Sequence, residues 1–351
     1  MTIKQREKLM RRRQRVRKGL LFFELLILCI IGAAAFMIFK LDSIQRSSLD
    51  VGSLEIVPLS GNYTNIALFG LDSREGEIEG GVRSDAIMIA SLNNKTGELK
   101  VVSVFRDTLL QQEDGSYDKA NAAYFYGGPQ EAIAMLNRNL DMNIDMYASV
   151  NFQSLSNIID ILGGVEIELT SEEIVWLNGY VVETGQVVGK TTTELDVDQP
   201  GIHNLDGIKA VAYTRIRYTA GDDFKRAERQ RTVLEQIARK AKTAGPIKLM
   251  KIMDEVLPQM STNISTSEML KLGGNLLRLK INEMRGFPFD ITTSDDVIGM
   301  EGSYAAAIGH ADNVRQLHGF LFGDDQYQVS DRIRQISEDV AYLTGIYPEN
   351  Y

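Results

Sequence analysis

The clearest hydrophobic pattern lies at the amino terminus, where a basic segment precedes a long apolar one. Residues 1–18 contain nine Lys and Arg side chains and one Glu, a local charge of +8. Residues 19–39 form an apolar run of 21 residues that only Glu24 interrupts. At about 1.5 Å per residue, a helix of this length spans the hydrocarbon core of a bilayer. The basic segment favours the cytoplasmic side, so the pattern predicts a single-pass type II anchor with the following domain outside the cell membrane.

A cleaved signal peptide is the alternative to a retained anchor. Residues 32–35, Gly-Ala-Ala-Ala, weakly resemble a small-residue cleavage site. Signal peptides have apolar regions of about 7–15 residues, and this run continues through residue 39. Its length therefore favours the anchor.

Beyond a linker predicted at residues 40–63, β-branched and apolar residues concentrate in short runs that predict strands. Three runs cover residues 64–71, 85–92 and 98–105, and a turn-forming Asn-Asn-Lys-Thr-Gly sequence joins the last two. These runs are expected to be neighbours in one sheet. Another strand is predicted at residues 165–169, directly after two glycines.

Apolar residues at helical spacing predict the other elements, and the mixture of helices and strands indicates an α/β protein. Helices are expected at residues 129–140, 152–162, 206–213, 224–242, 265–277 and 330–343.

Charge and cysteine content restrict the function. The chain carries −9, and since its first 18 residues carry +8, residues 19–351 carry −17. Nucleic-acid binding requires a positive surface, so the acidic exported part argues against that class of partner. The single cysteine, Cys29, lies in the apolar run, so no disulfide is expected outside the membrane. The three histidines lack metal-ligand spacing, and neither a P-loop nor a Gly-x-Ser-x-Gly motif is present.

Polar side chains cluster where the first predicted strand ends and the second begins. Asp72 follows one strand, and Arg83 and Asp85 lie at the start of the next. Two carboxylates there can share a hard cation such as Mg²⁺, which prefers oxygen ligands. Alternatively, both carboxylates cap turns and pair with Arg74 and Arg83, which is the simpler interpretation of this cluster taken alone.

Arg106 follows the third predicted strand and has Asp107 beside it. An inward-facing arginine is costly to bury unless it meets an anion. An anionic ligand or Asp107 itself would satisfy this requirement, and the sequence leaves both possibilities open.

The most specific cluster contains two further pairs of side chains. In an extended segment, residues two apart share a face, so Arg215 and Arg217 are expected to form a guanidinium pair. On the following helix, Arg226 and Gln230 are four residues apart and also share a face. Neighbouring guanidinium groups repel unless an anion lies between them, and a phosphate or diphosphate matches their donors.

The alternative for this cluster is a solvated basic stretch balanced by Asp222, Asp223 and Glu228. Asp222 or Asp223 would then act as the N-cap of the helix. That capping role is compatible with anion binding, but it does not explain two arginines on one face.

Four separated motifs, in the family's order, make the chain resemble the LytR-CpsA-Psr family of bacterial envelope phosphotransferases. The motifs are NIALFGLDSR, RSDAIMIASL, VVSVFRDT and LDGIKAVAYTRIRYT with DDFKRAERQR, and the similarity covers about residues 65–242. The resemblance implies a type II membrane protein with a central mixed sheet flanked by helices. It also implies transfer of a glycopolymer phosphate from an undecaprenyl-pyrophosphate lipid to peptidoglycan, assisted by Mg²⁺.

The resemblance further implies roles for individual residues. It implies Asp72 and Asp85 as magnesium ligands, with Asp223 near the diphosphate. Asp85 and Asp223 are the two candidates for the general base, and the sequence leaves the choice between them open. The resemblance also implies that the diphosphate contacts Arg83, Arg106, Arg215, Arg217, Arg226 and Gln230, with Arg106 also catalytic.

The expected organisation is a catalytic domain at residues 64–245 and a helical extension packed on it at residues 246–351. The chain departs from the family in Glu75, Glu77 and Glu79 and in a long tail after Ile281. Whether the polymer is teichoic acid, capsule or another wall glycan stays open. Two other functions share the diphosphate site, namely a non-catalytic polyprenyl-pyrophosphate sensor and a lipid pyrophosphatase.

Overall fold

The computed structural model describes residues 46–73, 81–217, 222–275, 278–295 and 297–348. The basic tail, the predicted anchor at residues 19–39 and the start of the linker lie outside these ranges. Within them, none of the helices has the length and apolar character needed to cross a membrane.

A six-stranded mixed sheet forms the centre of the domain, in the order β10-β3-β2-β1-β6-β9. Strands β1 and β6 are parallel, as are β3 and β10, and the remaining neighbours are antiparallel. In chain order the strands are β1 (Tyr63–Leu71), β2 (Ser84–Asn93), β3 (Glu98–Val104), β4 (Leu109–Gln111), β5 (Tyr117–Lys119), β6 (Met146–Asn151), β7 (Val165–Leu169), β8 (Gly201–Leu205), β9 (Ser261–Thr262), β10 (Lys280–Phe287), β11 (Ile291–Ser294) and β12 (Tyr304–Ala307).

Helices cover both faces of this sheet, which confirms the predicted architecture of a central mixed sheet flanked by helices. They are α1 (Ala120–Leu140), α2 (Phe152–Leu162), α3 (Ser171–Val188), α4 (Gly207–Arg215), α5 (Asp222–Thr243), α6 (Pro246–Glu255), α7 (Thr266–Asn275), α8 (His310–Phe322) and α9 (Asp331–Thr344).

The six predicted helices are all present, but α1 begins nine residues earlier than the pattern indicates. Gly127 and Gly128 have non-helical backbone angles and kink α1 immediately before Pro129. The apolar periodicity is therefore interrupted there, and Pro129 resembles a helix start because proline favours the first turn.

Strand alternation gives the sheet two apolar faces. Phe69 and Ile87 point to the face covered by α1, α8 and α9, where they join the main core. Leu68 and Met88, one residue away, point to the opposite face, where Leu234 of α5 packs on the sheet. A second core, built from α2, α3, α4, β7 and β8, lies beside α5.

The expected division into a domain at 64–245 and a helical extension packed on it at 246–351 stays a prediction, but the second segment is not only helical. It also contains strands β9 to β12, and β9 and β10 belong to the central sheet. Strand β10 pairs in parallel with β3, and β11 with β12 forms a hairpin. Most of β10 is polar and half-exposed at the sheet edge, so its sequence lacks the apolar alternation that predicted the other strands.

Phe287→Ala is expected to destabilise the whole domain by about 3–5 kcal/mol, since this core side chain is fully buried. Denaturant unfolding of the full chain in detergent measures the change. Glu283→Ala is the control on the same strand, where the side chain is 57% exposed, and a change within about 0.5 kcal/mol is expected there. Equal losses in both variants would contradict the placement of β10 in the core.

Candidate functional site

A β-bulge presents Asp85 near the start of β2. The register of β1 against β2 shifts between Gly70, which faces Ala86, and Leu71, which faces Ser84. Asp85 therefore has no partner position in β1, and its backbone carbonyl lies outside the ladder. Bulges commonly redirect a side chain next to functional sites.

Three arginines surround the Asp85 carboxylate. Arg106 Nη1 lies 2.8 Å from Asp85 Oδ1, and Arg226 Nη2 lies 2.9 Å from Oδ2. Arg217 Nη2 lies 3.5 Å from the same Oδ2. The Arg226 side chain is only 4% exposed, whereas that of Arg217 is 41% exposed. Arg217 therefore has the most surface available to a ligand among the three.

Helix α5 also satisfies the carbonyl that the bulge frees. Arg226 Nη2 donates to Asp85 O at 2.9 Å, and Gln230 Nε2 donates to the same oxygen at 3.2 Å. The prediction that Arg226 and Gln230 share a face is therefore confirmed. From one turn of α5, both side chains hold the bulged backbone at Asp85.

The arginines keep Asp85 ionised. Burial alone would raise the pKa of this carboxyl, but the charges of Arg226, Arg106 and Arg217 outweigh burial and lower the pKa below its ordinary value. A carboxylate with a lowered pKa accepts a proton poorly, so this environment favours Asp85 as a counterion over Asp85 as the general base.

The predicted pairing of Arg215 with Arg217 is wrong. Arg215 is the last residue of helix α4, where residues two apart point in different directions. Arg215 Nη1 donates to Thr184 at 2.9 Å, Nη2 to Glu183 at 3.1 Å, and its guanidinium lies over the Phe152 ring. A diphosphate contact from Arg215 stays a prediction.

Residues from the last quarter of the chain support Arg106. The Phe105 ring packs so closely on β10 that a Cβ at Gly286 would lie 2.4 Å from it, and Phe105 N donates to Phe287 O. On the other side of Arg106, Ala305 N of β12 donates to Asp107 O at 2.8 Å. The hairpin and β10 therefore fix the backbone on both sides of Arg106.

Lys119, which no sequence pattern indicated, extends the ion-pair network away from Asp85. Arg106 Nε lies 3.1 Å from Asp107 Oδ2, and Lys119 Nζ lies 2.9 Å from Asp107 Oδ1. Lys119 also lies over the Tyr304 ring, with Nζ 5.0 Å from its centroid. No sequence spacing relates residues 107, 119 and 304, so only the fold reveals this network.

The remaining predicted residues lie around the same strand ends. Asp72 and Arg83 are exposed, and Asp72 N donates to Arg83 O across β1 and β2 at 3.4 Å. Asp223 lies in the first turn of α5, and its side chain is not among those that the structure describes. Arg74, residues 75–80 and Tyr218 also lie outside the described residues.

The magnesium site at Asp72 and Asp85 stays a prediction. In the part of the chain that the structure describes, no group of three or more His, Cys, Asp or Glu side chains is placed to hold a metal ion. Mg²⁺ is often bound by only one or two carboxylates together with substrate phosphates. Asp72 and Asp85, at neighbouring ends of β1 and β2, match that smaller donor set.

An apolar cavity of about 200 Å³ begins at Asp85 and Gln230. It lies between the second face of the sheet, α2 and α5, and its walls include Met88, Val150 and Ile237. The cavity therefore joins a cationic cluster at one end to an apolar channel, a combination suited to an amphiphile with an anionic head.

A family model described as the LytR_cpsA_psr family matches residues 41–317. The match extends well beyond residue 242 and includes β10, β11, β12 and part of α8. The family-like region is therefore longer than the four motifs indicate.

Relatives with known names share this region. Polyisoprenyl-teichoic acid–peptidoglycan teichoic acid transferase TagT of Bacillus subtilis is 29% identical over 263 residues, covering 72% of this chain and 77% of the relative. The corresponding transferase TagU of Halalkalibacterium halodurans is 32% identical over 214 residues, covering 60% of this chain and 64% of the relative.

A solved structure shares the fold. The structure of TagT from Bacillus subtilis with bound octaprenyl pyrophosphate lipid has a TM-score of 0.53 and 19% identity. The match covers 86% of this chain and all of that one.

Asp85→Asn is expected to destabilise the domain by about 3–5 kcal/mol at neutral pH, because it leaves buried guanidinium groups without a counterion. Since the folded-state pKa of Asp85 is lowered, its carboxylate stabilises the fold above the unfolded pKa. This contribution is lost as the pH falls through the lowered folded pKa. The difference in unfolding free energy between wild type and Asp85→Asn should therefore shrink below about pH 4.

Urea unfolding of both proteins between neutral and acid pH measures this difference. Glu166→Gln, at an exposed position of β7, is the control and should show no such closing gap. A difference that persists unchanged into acid would refute the ionic origin of the stabilisation.

Proposed function

The chain belongs to the LytR-CpsA-Psr family, and on that premise we propose that it is a transferase that attaches a glycopolymer to peptidoglycan. The proposed donor is an undecaprenyl-pyrophosphate lipid whose terminal phosphate carries the polymer, such as teichoic acid or capsule. The names of TagT and TagU support the reaction class, and the lipid bound to TagT supports the donor class.

The observation that carries this proposal is the apolar cavity that opens directly at the arginine cluster. A diphosphate joined to a long polyprenyl chain needs both parts, since its head requires charge-assisted donors and its tail requires apolar walls. Arg106, Arg217 and Arg226 meet around Asp85, and Asp85 and Gln230 are themselves part of the cavity wall. The proposed diphosphate lies at this junction.

The proposed step is a phosphoryl transfer. The oxygen of an acceptor sugar hydroxyl attacks the phosphorus nearest the polymer, and the bond from that phosphorus to the bridging oxygen breaks. Polyprenyl monophosphate leaves with that oxygen, and the hydroxyl proton passes to a base or to water. The arginines stabilise the charge that grows on the phosphate oxygens, which is the main catalytic requirement in this chemistry.

Asp72 and Asp85 are the proposed ligands of Mg²⁺, which would neutralise part of the diphosphate charge when bound. The counterion role of Asp85 favours Asp223 as the proposed base. Exposed Arg83 is proposed as a further phosphate ligand.

The proposed location is the outer face of the cell membrane. The predicted span at residues 19–39 would anchor the chain with its amino terminus in the cytoplasm. The domain would then meet both a donor lipid in the outer leaflet and peptidoglycan.

Arg106→Ala and Arg217→Ala are each expected to lower the transfer rate at least about 100-fold, because each removes charge from the transition state. The assay combines the full chain in detergent, a pyrophosphate-linked lipid, Mg²⁺ and peptidoglycan, and detects joined polymer. Arg239→Ala, on the same helix as Arg226 but 64% exposed, is the matched control and should keep wild-type activity. Circular dichroism checks the fold of each variant.

The products separate the proposal from its alternatives. Tight donor binding with no lipid monophosphate and no joined polymer would favour a sensor and overturn the transferase. Polymer phosphate released into solution without coupling to peptidoglycan would favour a lipid pyrophosphatase. Wild-type rates in Arg106→Ala or Arg217→Ala would remove that residue from the site.

Val150→Trp is expected to weaken binding of a long-chain polyprenyl pyrophosphate roughly tenfold or more, because the indole fills the cavity and displaces several methylene groups. Affinity for inorganic pyrophosphate should stay unchanged, since the arginines are untouched. Calorimetric titration with both ligands measures this, and Val175→Trp, 51% exposed on α3, is the control. Equal losses for both ligands would argue against the cavity as the tail site.

A further inference from the structure

We propose that the end of the domain opposite Asp85 docks on an anionic phospholipid surface through helices α6 and α7. This inference rests on the anchor and the lipid donor proposed above. The docking surface consists of Ile247, Met250, Lys251, Leu270, Lys271 and Arg278, all of them exposed.

Charge is the first observation that points to this partner. Residues 239–280, from the end of α5 to the start of β10, contain eight Lys and Arg and three Asp and Glu, a net charge of +5, whereas residues 19–351 carry −17 in total. Helices α6 and α7 are neutral by themselves, and the excess comes from the residues that flank them, Arg239, Lys240, Lys242, Arg278 and Lys280. Each basic side chain near an anionic bilayer contributes about 1 kcal/mol of attraction. Within a strongly acidic protein, this segment is the part that a negatively charged surface attracts.

Exposed apolar side chains lie among these charges. Ile247 is 77% exposed, Met250 45% and Leu270 39%, and α6 contains no buried residue. Ile247 and Met250 are three residues apart, so they share one face of α6. A helix that combines such a face with lysines has the character of an interfacial helix, which inserts its apolar side at the headgroup level.

The docking surface lies at the end of the sheet away from Asp85. Asp85 is near the start of β2, and the opposite end of the sheet contains Glu98, which pairs with Lys280. Lys242, near the end of α5, donates to Leu279 O at 2.7 Å and so brings that helix to the same end.

Helix α2 also ends at the docking surface, since Lys248 of α6 donates to Leu162 O at 2.8 Å. Ile158 of α2 and Ile237 of α5 line the apolar cavity. The cavity therefore runs from the arginine cluster towards the docking surface. A polyprenyl chain that leaves the cavity in this direction would enter the bilayer beneath α6 and α7.

The start of the described chain is attached to the same region. Arg46 Nε donates to Ile264 O at 3.1 Å, Arg46 Nη2 to Thr266 Oγ1 at 2.6 Å, and Ser47 N to Thr262 O at 3.2 Å. Thr266 is the first residue of α7. Residues 40–45 link the predicted span to Arg46, and when extended they reach at most about 25 Å. If residues 19–39 span the membrane as proposed, a linker of this length would limit the distance of Arg46 from the outer membrane surface.

Site-directed spin labelling tests the docking directly. Cys29→Ser with Ile247→Cys leaves one thiol for a nitroxide in the full chain, which is reconstituted in vesicles of phosphatidylcholine with phosphatidylglycerol or of phosphatidylcholine alone. On the mixed vesicles, the label should become accessible to lipid-soluble oxygen and protected from a water-soluble nickel complex. A label at Tyr342→Cys, 67% exposed on α9, should stay in water on both vesicles.

Charge reversal provides the second test. Lys251→Glu with Lys271→Glu should return the Ile247→Cys label to water and slow transfer from membrane-embedded donor roughly tenfold or more. Transfer from a short-chain soluble donor should be unchanged. Arg315→Glu with Arg334→Glu, at exposed positions of α8 and α9, is the matched control and should alter neither result.

The spin-label and transfer measurements test the docking surface and the transferase activity independently of each other. A label that stays in water on mixed vesicles, in a protein that transfers polymer normally, would overturn the docking surface and leave the transferase intact. A protected label in a protein with no transfer from either donor would support docking and refute the proposed function. Equal slowing by both charge-reversed variants would also overturn the docking surface.

Discussion

The site is organised around one carboxylate that is shared by three cations. Asp85 contacts Arg106, Arg217 and Arg226, which come from the end of β3, the segment after α4 and the first turns of α5. Without that shared anion, the three guanidinium groups would repel one another at close range. The β-bulge is the geometric condition for this arrangement, because it frees the Asp85 carbonyl for Arg226 and Gln230.

This cluster is better explained by preorganisation than by stability. Burying charged groups costs desolvation energy that ion pairing often fails to recover fully, and a well-packed apolar cluster would serve stability as well. What the ion pairs achieve is a fixed set of donors at the mouth of an apolar cavity. A diphosphate that enters the proposed site meets donors already oriented, so little reorganisation is needed at the moment of reaction.

The supporting structure of this site extends through much of the described chain. Gly286 allows Phe105 to lie on β10, and Ala305 N donates to the carbonyl of Asp107. Arg106 is therefore held in place by residues that follow it by about 180 to 200 positions in the sequence. The opposite end of the domain has a separate role in the proposed function, since α6 and α7 carry the exposed basic and apolar side chains. The cavity extends from the arginine cluster along α2 and α5 towards that end, so the proposed function combines a polar reaction site with apolar walls for a lipid.

The sequence by itself determined the three central strands, the family and the face shared by Arg226 and Gln230, because these depend on local periodicity and on motifs within short segments. The pairing of Arg215 with Arg217 failed because a helix ends at Arg215, and a two-residue spacing means different directions in a helix and in a strand. The sequence pattern did not reveal strand β10, because this strand pairs with one about 180 residues earlier and is polar along most of its length. Only the tertiary structure decided the bulge at Asp85, the Lys119 contact and the cavity, since each arises from elements that are distant in sequence and meet through packing.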